Sequence, residues 1–482
     1  MEWWLILIIA VAAALVLFLA VIIGRACAFK PKPYKAPVLP EPEFDGDKAV
    51  KDLQNMIRIR TVSSKNRAEE DEKEFEKFEA YLFEAFPNVA KNAEFTKVND
   101  RALLFKIKGE SDKEPSVFMA HYDVVSVVES EWSKEPFAGI IEDDVLWGRG
   151  TLDTKGTLNG VMQAAENLLS KGFKPKNDIY LAFGGNEEVN GNGAPAIVEK
   201  FKAEGITPAL VIDEGGAVVS DVFPGVKQNC ALIGIAEKGM TEIKFEVKGA
   251  GGHASAPPAH TAVGKLSAAC VKVEDHPFKC HISKPAAEMF DTLGRYSSFG
   301  LRLVFANMWL FGGLLDKMSR KKGGEINALM RTTVAFTQMS GSKGSNVLPP
   351  EASLVANLRL VEGDTVQSVR DRIEKLVGDP DVKVETLHGM NPSRISSTDC
   401  TAWDKVRAAV AGTWTDALVS PYLMVACSDS RHYGPISDKV YRFSAMALSK
   451  TERGLIHGND ERVPLETIRK TAAFYIRLME QC

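Results

Sequence analysis

The chain begins with an unbroken apolar stretch. Residues 3–23 carry no charge; as a helix they would be roughly 31 Å long, close to the ~30 Å hydrocarbon core of a bilayer. The pattern predicts a transmembrane anchor over residues 3–24. A signal-peptide core is shorter and follows basic residues, whereas here only Glu2 precedes the apolar run. Ala26-Cys27-Ala28 offers a small-x-small cleavage pattern, so a removed leader is the alternative. Arg25, Lys30, Lys32 and Lys35 all follow the run and no basic residue precedes it, which favours a single-pass protein with its body in the cytoplasm. Five prolines, from Pro31 to Pro42, mark residues 25–45 as a stiff linker that holds the body off the bilayer.

Beyond the linker the hydrophobic period changes. Val50, Leu53, Met56 and Ile57 predict a helix starting near Asp47, and Phe75, Phe78, Leu82 and Phe86 predict another within the acidic stretch 69–86. Residues 117–120, 179–183 and 209–212 are short apolar runs that end in polar residues. Between the first two, Val161, Ala164, Ala165, Leu168 and Leu169 read as a helix stopped by Gly172. Strands alternating with helices imply an α/β fold with a mostly parallel central sheet. In such sheets ligands bind beyond the carboxyl ends of the strands. The pattern shifts again after Ile233, with a strand expected at 238–247. The chain therefore divides into a catalytic part at 46–235, an inserted segment at 236–391 and a return at 392–482.

Composition narrows the class. With 45% hydrophobic and 25% charged residues, the 482-residue chain is not collagenous, disordered or low-complexity. A formal net charge of -4 argues against a nucleic-acid partner. The 7 cysteines contain no CxxC pair and do not form a disulfide framework.

Five clusters carry candidate chemistry. His121 and Asp123 are two apart at a predicted strand end, so they share a face, and the carboxylate can orient the imidazole. Gly148-Arg149-Gly150-Thr151-Leu152-Asp153-Thr154-Lys155-Gly156 places one carboxylate in a glycine-rich turn before a helix. Glu187 and Glu188 follow the strand 179–183, and Asp213 ends the run 209–212. Far downstream lies Leu455-Ile456-His457-Gly458-Asn459-Asp460-Glu461. Each cluster alone has an ordinary reading as a cap, turn or solvated surface. Together they offer two histidines, three carboxylates and a spare glutamate, a nitrogen–oxygen donor set that suits Zn²⁺, with Co²⁺ or Mn²⁺ as substitutes.

In the order and spacing of these clusters, residues 46–482 resemble the co-catalytic zinc exopeptidases and amidohydrolases, a family that includes carboxypeptidase S, aminoacylase and succinyl-diaminopimelate desuccinylase. The motif around Asp153 and the final Ile-His-Gly-Asn-Asp-Glu-Arg-Val are similar to the carboxypeptidase S-like and N-fatty-acyl-amino-acid hydrolase branch. The resemblance implies two zinc ions bridged by Asp153, with His121 and Asp213 completing one site and Glu188 and His457 the other. It also implies that Asp123 orients His121, that Glu187 is the general base, and that the Asp153–Thr154 peptide is cis. The inserted segment would be a smaller α/β sandwich lid that dimerises. It would contribute His253 to the oxyanion, Asn346 to position the carbonyl and Arg359 to clamp a substrate carboxylate; Ser428-Asp429-Ser430-Arg431 would be a substrate-side loop of unassigned role.

The expected activity is hydrolysis of an amide or peptide bond beside a free carboxylate, as in a dipeptidase or carboxypeptidase. The alternative within the class is an N-acyl-amino-acid amidohydrolase; outside it, a membrane-tethered binding protein with a degenerate metal site. An apolar segment at 275–330, rich in Phe and Leu, reads as extra lid core or as a surface for acyl chains or membrane.

Overall fold

The structure, a computed structural model, describes residues 2–482. Its centre is an eight-stranded mixed sheet in the order Ala93–Lys97, Leu103–Ile107, Asn177–Gly184, Ser111–His121, Leu210–Val219, Val440–Leu448, Cys230–Glu237 and Leu418–Met424. Asn177–Gly184, Ser111–His121, Leu210–Val219 and Val440–Leu448 run parallel to one another. The expectation of a mostly parallel sheet holds for this middle and fails toward both edges. Ala93–Lys97 and Leu103–Ile107 pair antiparallel because the connection between them is far too short for a crossover. Cys230–Glu237 likewise folds back antiparallel on Leu210–Val219.

Helices cover the sheet where their apolar stripes direct them. Gly46–Ile57 is capped by Asp45, whose carboxylate accepts from the backbone N–H groups of Asp47 and Lys48, and it buries Val50, Leu53, Met56 and Ile57. In Glu72–Ala85 the acidic face stays in solvent while Phe75, Phe78 and Leu82 are buried. Lys155–Ser170 is buried on nearly all sides and lies against Leu465–Met479. Gly160 permits that approach, since a Cβ there would fall 2.6 Å from Thr471 Cγ2.

A separate four-stranded antiparallel sheet runs Thr333–Ser340, Glu351–Leu360, Gly239–Lys248, Lys383–Met390. Its two central strands alternate buried and half-exposed residues, the signature of a sheet covered on one face. Ile243, Phe245, Leu354, Ala356 and Leu358 meet the helices Ala262–Asp275 and Val366–Val377 in a core of their own. The segment 275–330 divides between the two cores, Phe278 joining that of the antiparallel sheet. Helix Lys284–Gly294 packs on strand Leu418–Met424, and Met289, Phe290 and Leu293 join the core of the large sheet beside Phe223 and Leu423.

The N-terminal helix is Trp3–Ala28. The proline-rich residues after it do not stand free as a spacer. Arg407 stacks on Tyr34 with its guanidinium 3.6 Å from the ring centre, Lys171 Nζ donates to the Glu43 carbonyl at 2.6 Å, and Arg477 pairs with Glu41.

Candidate metal centre

The site assembles at the carboxyl ends of the parallel strands. His121 is the last residue of Ser111–His121, paired with Gly184 at the end of the neighbouring strand. Glu187 and Glu188 follow that neighbour, Asp153 lies in the turn before Lys155–Ser170, and His457 comes from the loop before Arg462–Pro464, at φ 59°. The peptide between Asp153 and Thr154 is cis.

Asp153 stands between two imidazoles. Its Oδ1 lies 3.0 Å from His121 Nε2 and its Oδ2 lies 3.0 Å from His457 Nε2. His457 Nε2 is also 3.1 Å from Glu188 Oε2. His121 Nδ1 lies 2.9 Å from the Asp123 carbonyl oxygen and 3.4 Å from its Oδ1. Donation through Nδ1 would leave the Nε2 lone pair facing the carboxylates, the tautomer a cation needs. Two donor triads share this imidazole: His121 with Asp153 and Glu188, and His121 with Glu187 and Glu214, the atoms of each within 4.8 Å of one another.

Glu214 was not singled out by the sequence, and Asp213 was. Glu214 Oε1 lies 3.6 Å from His121 Nε2, whereas Asp213 Oδ2 accepts the Ser430 N–H at 2.9 Å. Neighbours on a strand point to opposite faces. The register also slips between the pairs Asp213–Arg442 and Gly216–Phe443, so Glu214 and Gly215 sit in a bulge. Bulges beside active sites re-aim side chains; the Gly215-Gly216 doublet was the available signal.

Two further carboxylates hold the loops of this cluster in place. Asp123 Oδ1 accepts the Glu187 N–H at 3.1 Å, and its Oδ2 accepts the Glu188 N–H at 3.1 Å and the Ser63 hydroxyl at 2.7 Å. Glu461 Oε1 accepts backbone N–H groups from Gly150 at 3.1 Å, Leu152 at 2.7 Å and Asp153 at 3.2 Å, while Oε2 pairs with Arg149 at 2.6 Å.

The electrostatics are those of crowded anions. Burial pushes the Glu187 and Glu188 carboxyls above the usual range, and burial followed by the nearby Asp153 charge does the same to Glu214. Burial would also raise Asp153, but the hydrogen bonds from His121 and His457 overrule it and hold the group well below the ordinary range. Hydrogen bonds to Asp153 and Glu188 lift His457 to about 10. Glu188 Oε1 is buried and has no hydrogen-bond partner. An orphaned carboxylate oxygen among imidazoles and further carboxylates fits a hard or borderline divalent cation.

Of the remaining expected residues, His253 and Asn346 lie at a separate two-stranded pairing of Gly252–His253 with Val347–Leu348, and Arg359 lies on the four-stranded antiparallel sheet. His253 is exposed, its Nδ1 2.7 Å from Ser255 Oγ, and its neighbour Ala254 donates to the Asn346 carbonyl at 2.9 Å. The structure thus brings His253 and Asn346 together as a unit of their own. Arg359 is half-buried and donates to Cys427 Sγ at 3.4 Å. Beside it the loop 428–431 gains a structural role: Ser428 and Ser430 hydroxyls donate to the buried Glu237 carboxylate at 2.9 and 3.3 Å, which sets the Ser430 N–H against Asp213.

Comparison with known proteins places this geometry. The sequence profile of peptidase family M20/M25/M40 matches residues 117–481. The chain is 33% identical over 444 residues to the N-fatty-acyl-amino acid synthase/hydrolase PM20D1 of Xenopus tropicalis, covering 91% of this chain and 86% of that protein. It is 32% identical over 476 residues to carboxypeptidase S-like 2 of Dictyostelium discoideum, covering 96% and 91%. Among solved structures, the M20 family metallo-carboxypeptidase Sso-CP2 from Sulfolobus solfataricus superposes with a TM-score of 0.67 at 17% identity, covering 90% of this chain and 98% of that one.

Proposed function

The chain belongs to peptidase family M20/M25/M40 and is a hydrolase of that family, and from this premise we propose that it cleaves an amide bond whose amine side is an amino acid with a free carboxylate. The observation that carries the reading is Asp153 held between His121 and His457, with the unpartnered Glu188 oxygen beside it and Glu187 adjacent. His121, Asp153, Glu188 and His457, with Glu214 or Asp213 as the remaining donor, would hold two divalent cations, zinc by donor type. Zinc bound there supplies a polarised substrate carbonyl and a more acidic water.

The chain's own groups do the rest. Glu187, its carboxyl raised by burial, accepts the proton of the attacking water and passes it to the leaving amine nitrogen. Asp123 fixes where that carboxyl sits by gripping its backbone N–H. Residues 236–391 act as a lid and a dimer contact. His253 donates to the oxygen that gains charge, Asn346 orients the carbonyl, and Arg359 grips the substrate carboxylate with its planar guanidinium. Helix Trp3–Ala28, whose most apolar 18-residue window has a mean hydropathy of 3.5, anchors the protein as a single span, the flanking basic residues favouring a cytoplasmic body.

Resemblance to both relatives leaves two acyl partners, a peptide residue or a fatty acyl chain. Zinc-loaded protein offered dipeptides and long-chain N-acyl amino acids separates them. Turnover of either that stops with chelator and returns with zinc supports the amidohydrolase reading. Turnover of neither overturns it.

A further inference from the structure

The N-terminal helix does not simply leave the body; it docks on the helical insertion. Helices Phe299–Ala306 and Met308–Lys322 meet at a bend of 106°, and the apex residue Asn307 is fully buried. Asn307 Nδ2 donates to the Ile22 carbonyl at 3.1 Å. From the other side, Arg25 Nε donates to the Ala306 carbonyl and to Asn307 Oδ1, both at 3.1 Å. Ile22 and Ala26, the buried residues of the N-terminal helix, lie in this same turn and a half. Just past the helix, Arg295 covers Phe29 with its guanidinium 4.3 Å from the ring and donates to the Lys30 carbonyl at 3.2 Å. The joint is polar, specific and confined to the end of the apolar run.

That joint fixes the depth of the insertion. Trp309 meets Phe18 edge to face, ring centres 6.1 Å apart. Phe18 is five residues before Ile23, the last apolar residue of the run, so it lies about 7–8 Å inside its end. Helices that lie in a membrane interface bury their apolar side about 5–10 Å. The outward face of Met308–Lys322 has the matching composition. Trp309, Leu310, Leu314 and Met318 are exposed while Leu315 and Ser319 face inward, and Arg320, Lys321 and Lys322 close the helix. Neither arm can cross a bilayer: 8 and 15 residues give about 12 and 22 Å against a core of ~30 Å.

We propose that the bent helix pair 299–322 is a second membrane contact, lying in the lipid headgroup–acyl boundary beside the N-terminal helix and fixing the orientation of the catalytic body against the bilayer. The occupant of the apolar face is lipid, because the face continues that of the adjoining helix at the same depth and ends in a basic cluster suited to anionic headgroups. The proposal rests on reading Trp3–Ala28 as an anchor, and the test separates the two.

A photoactivatable diazirine side chain is placed singly at Phe18, Leu314, Met318 or Val271 of the full-length protein. Val271 is exposed on the helix Ala262–Asp275, on the antiparallel sheet. Each variant is reconstituted in phosphatidylcholine vesicles carrying a minority of phosphatidylglycerol. Lipid adducts at Phe18, Leu314 and Met318, with none above background at Val271, are the expected result. Adducts at Leu314 and Met318 without any at Phe18 remove the anchor and overturn the proposal with it, since its depth is taken from Phe18. Adducts at Phe18 alone overturn the proposal and leave the anchor standing. Protein–protein adducts at Leu314 overturn it in favour of contact between copies of the chain.

Discussion

Glu461 has the most partners of any carboxylate around the site, yet it faces no imidazole. Its two oxygens tie Arg149 to the backbone of Gly150, Leu152 and Asp153, and so set where the Asp153 carboxylate points. Glu461→Gln leaves a buried guanidinium without its counter-charge, which costs about 3–5 kcal/mol when a buried pair is broken. It also loosens Asp153, and supporting residues of this kind are worth about 10–100-fold in metal affinity. Zinc titration and thermal melting of the variant should therefore both move; an unchanged melting temperature would refute the clamp. Glu187→Gln is expected to behave in the opposite way. Turnover falls about 10²–10⁴-fold, the range for a lost general base, while bound zinc measured by metal analysis stays near wild type. Loss of zinc together with turnover would make Glu187 a ligand instead. At this scale the sequence displayed residue chemistry and hid aim. His121, Asp153, Glu188 and His457 were legible because ligand types stood at strand ends and in glycine-rich turns. Glu214 was not, because a bulge decides which of two adjacent carboxylates faces inward, and a bulge is a property of the pairing with Val440–Leu448 rather than of the segment itself.

Elements were legible where one face is buried and the other wet. Phe75, Phe78 and Leu82 repeat at helical spacing, and the helix lies where they place it. Strand Ala93–Lys97 was not legible: it is an edge strand with little buried surface, so no apolar alternation marks it. The link between the two sheets hides a different feature. Lys238 sits between strands Cys230–Glu237 and Gly239–Lys248, and its Nζ donates to the Ala328 and Arg331 carbonyls at 2.9 and 2.8 Å. Burial, then the nearby Arg359 charge, lowers it to about 7. An unfolded lysine titrates near 10.4, so between these values the unfolded chain carries the extra proton and stability rises with pH. Below about pH 7 both states are protonated and the contribution is flat. From pH 7 to pH 9 the gain is on the order of 2 kcal/mol. Urea unfolding of wild type against Lys238→Met at the two pH values reads it directly. Equal pH dependence of the two proteins would show that Lys238 is charged throughout.

For the whole molecule, the two sheets differ in what keeps them folded. The antiparallel sheet has an apolar core of its own, built on Ile243, Phe245, Leu354 and Leu358, with no part of the carboxylate cluster in it. The large sheet carries that cluster at its strand ends, where burial drives Glu187, Glu188 and Glu214 toward their neutral forms. Divalent cations relieve the crowding, and anything that binds the folded state alone stabilises it by mass action. Free zinc at about 1,000 times its dissociation constant gives roughly 4 kcal/mol per site. Chelation should therefore lower the melting temperature by several degrees, since unfolding entropy scales at about 2 cal/mol/K per residue in a chain of this size. The loss should be local. Amide exchange should accelerate in Ser111–His121 and Asn177–Gly184, which end at the carboxylate–imidazole cluster, and stay unchanged in Glu351–Leu360, which lies in the other sheet. Asp153→Asn, which removes the shared carboxylate charge, should melt at the chelated temperature with or without zinc. A chelator effect of equal size in both sheets would mean that they unfold as one cooperative unit. No effect in either would mean that the cluster is held by protons rather than cations.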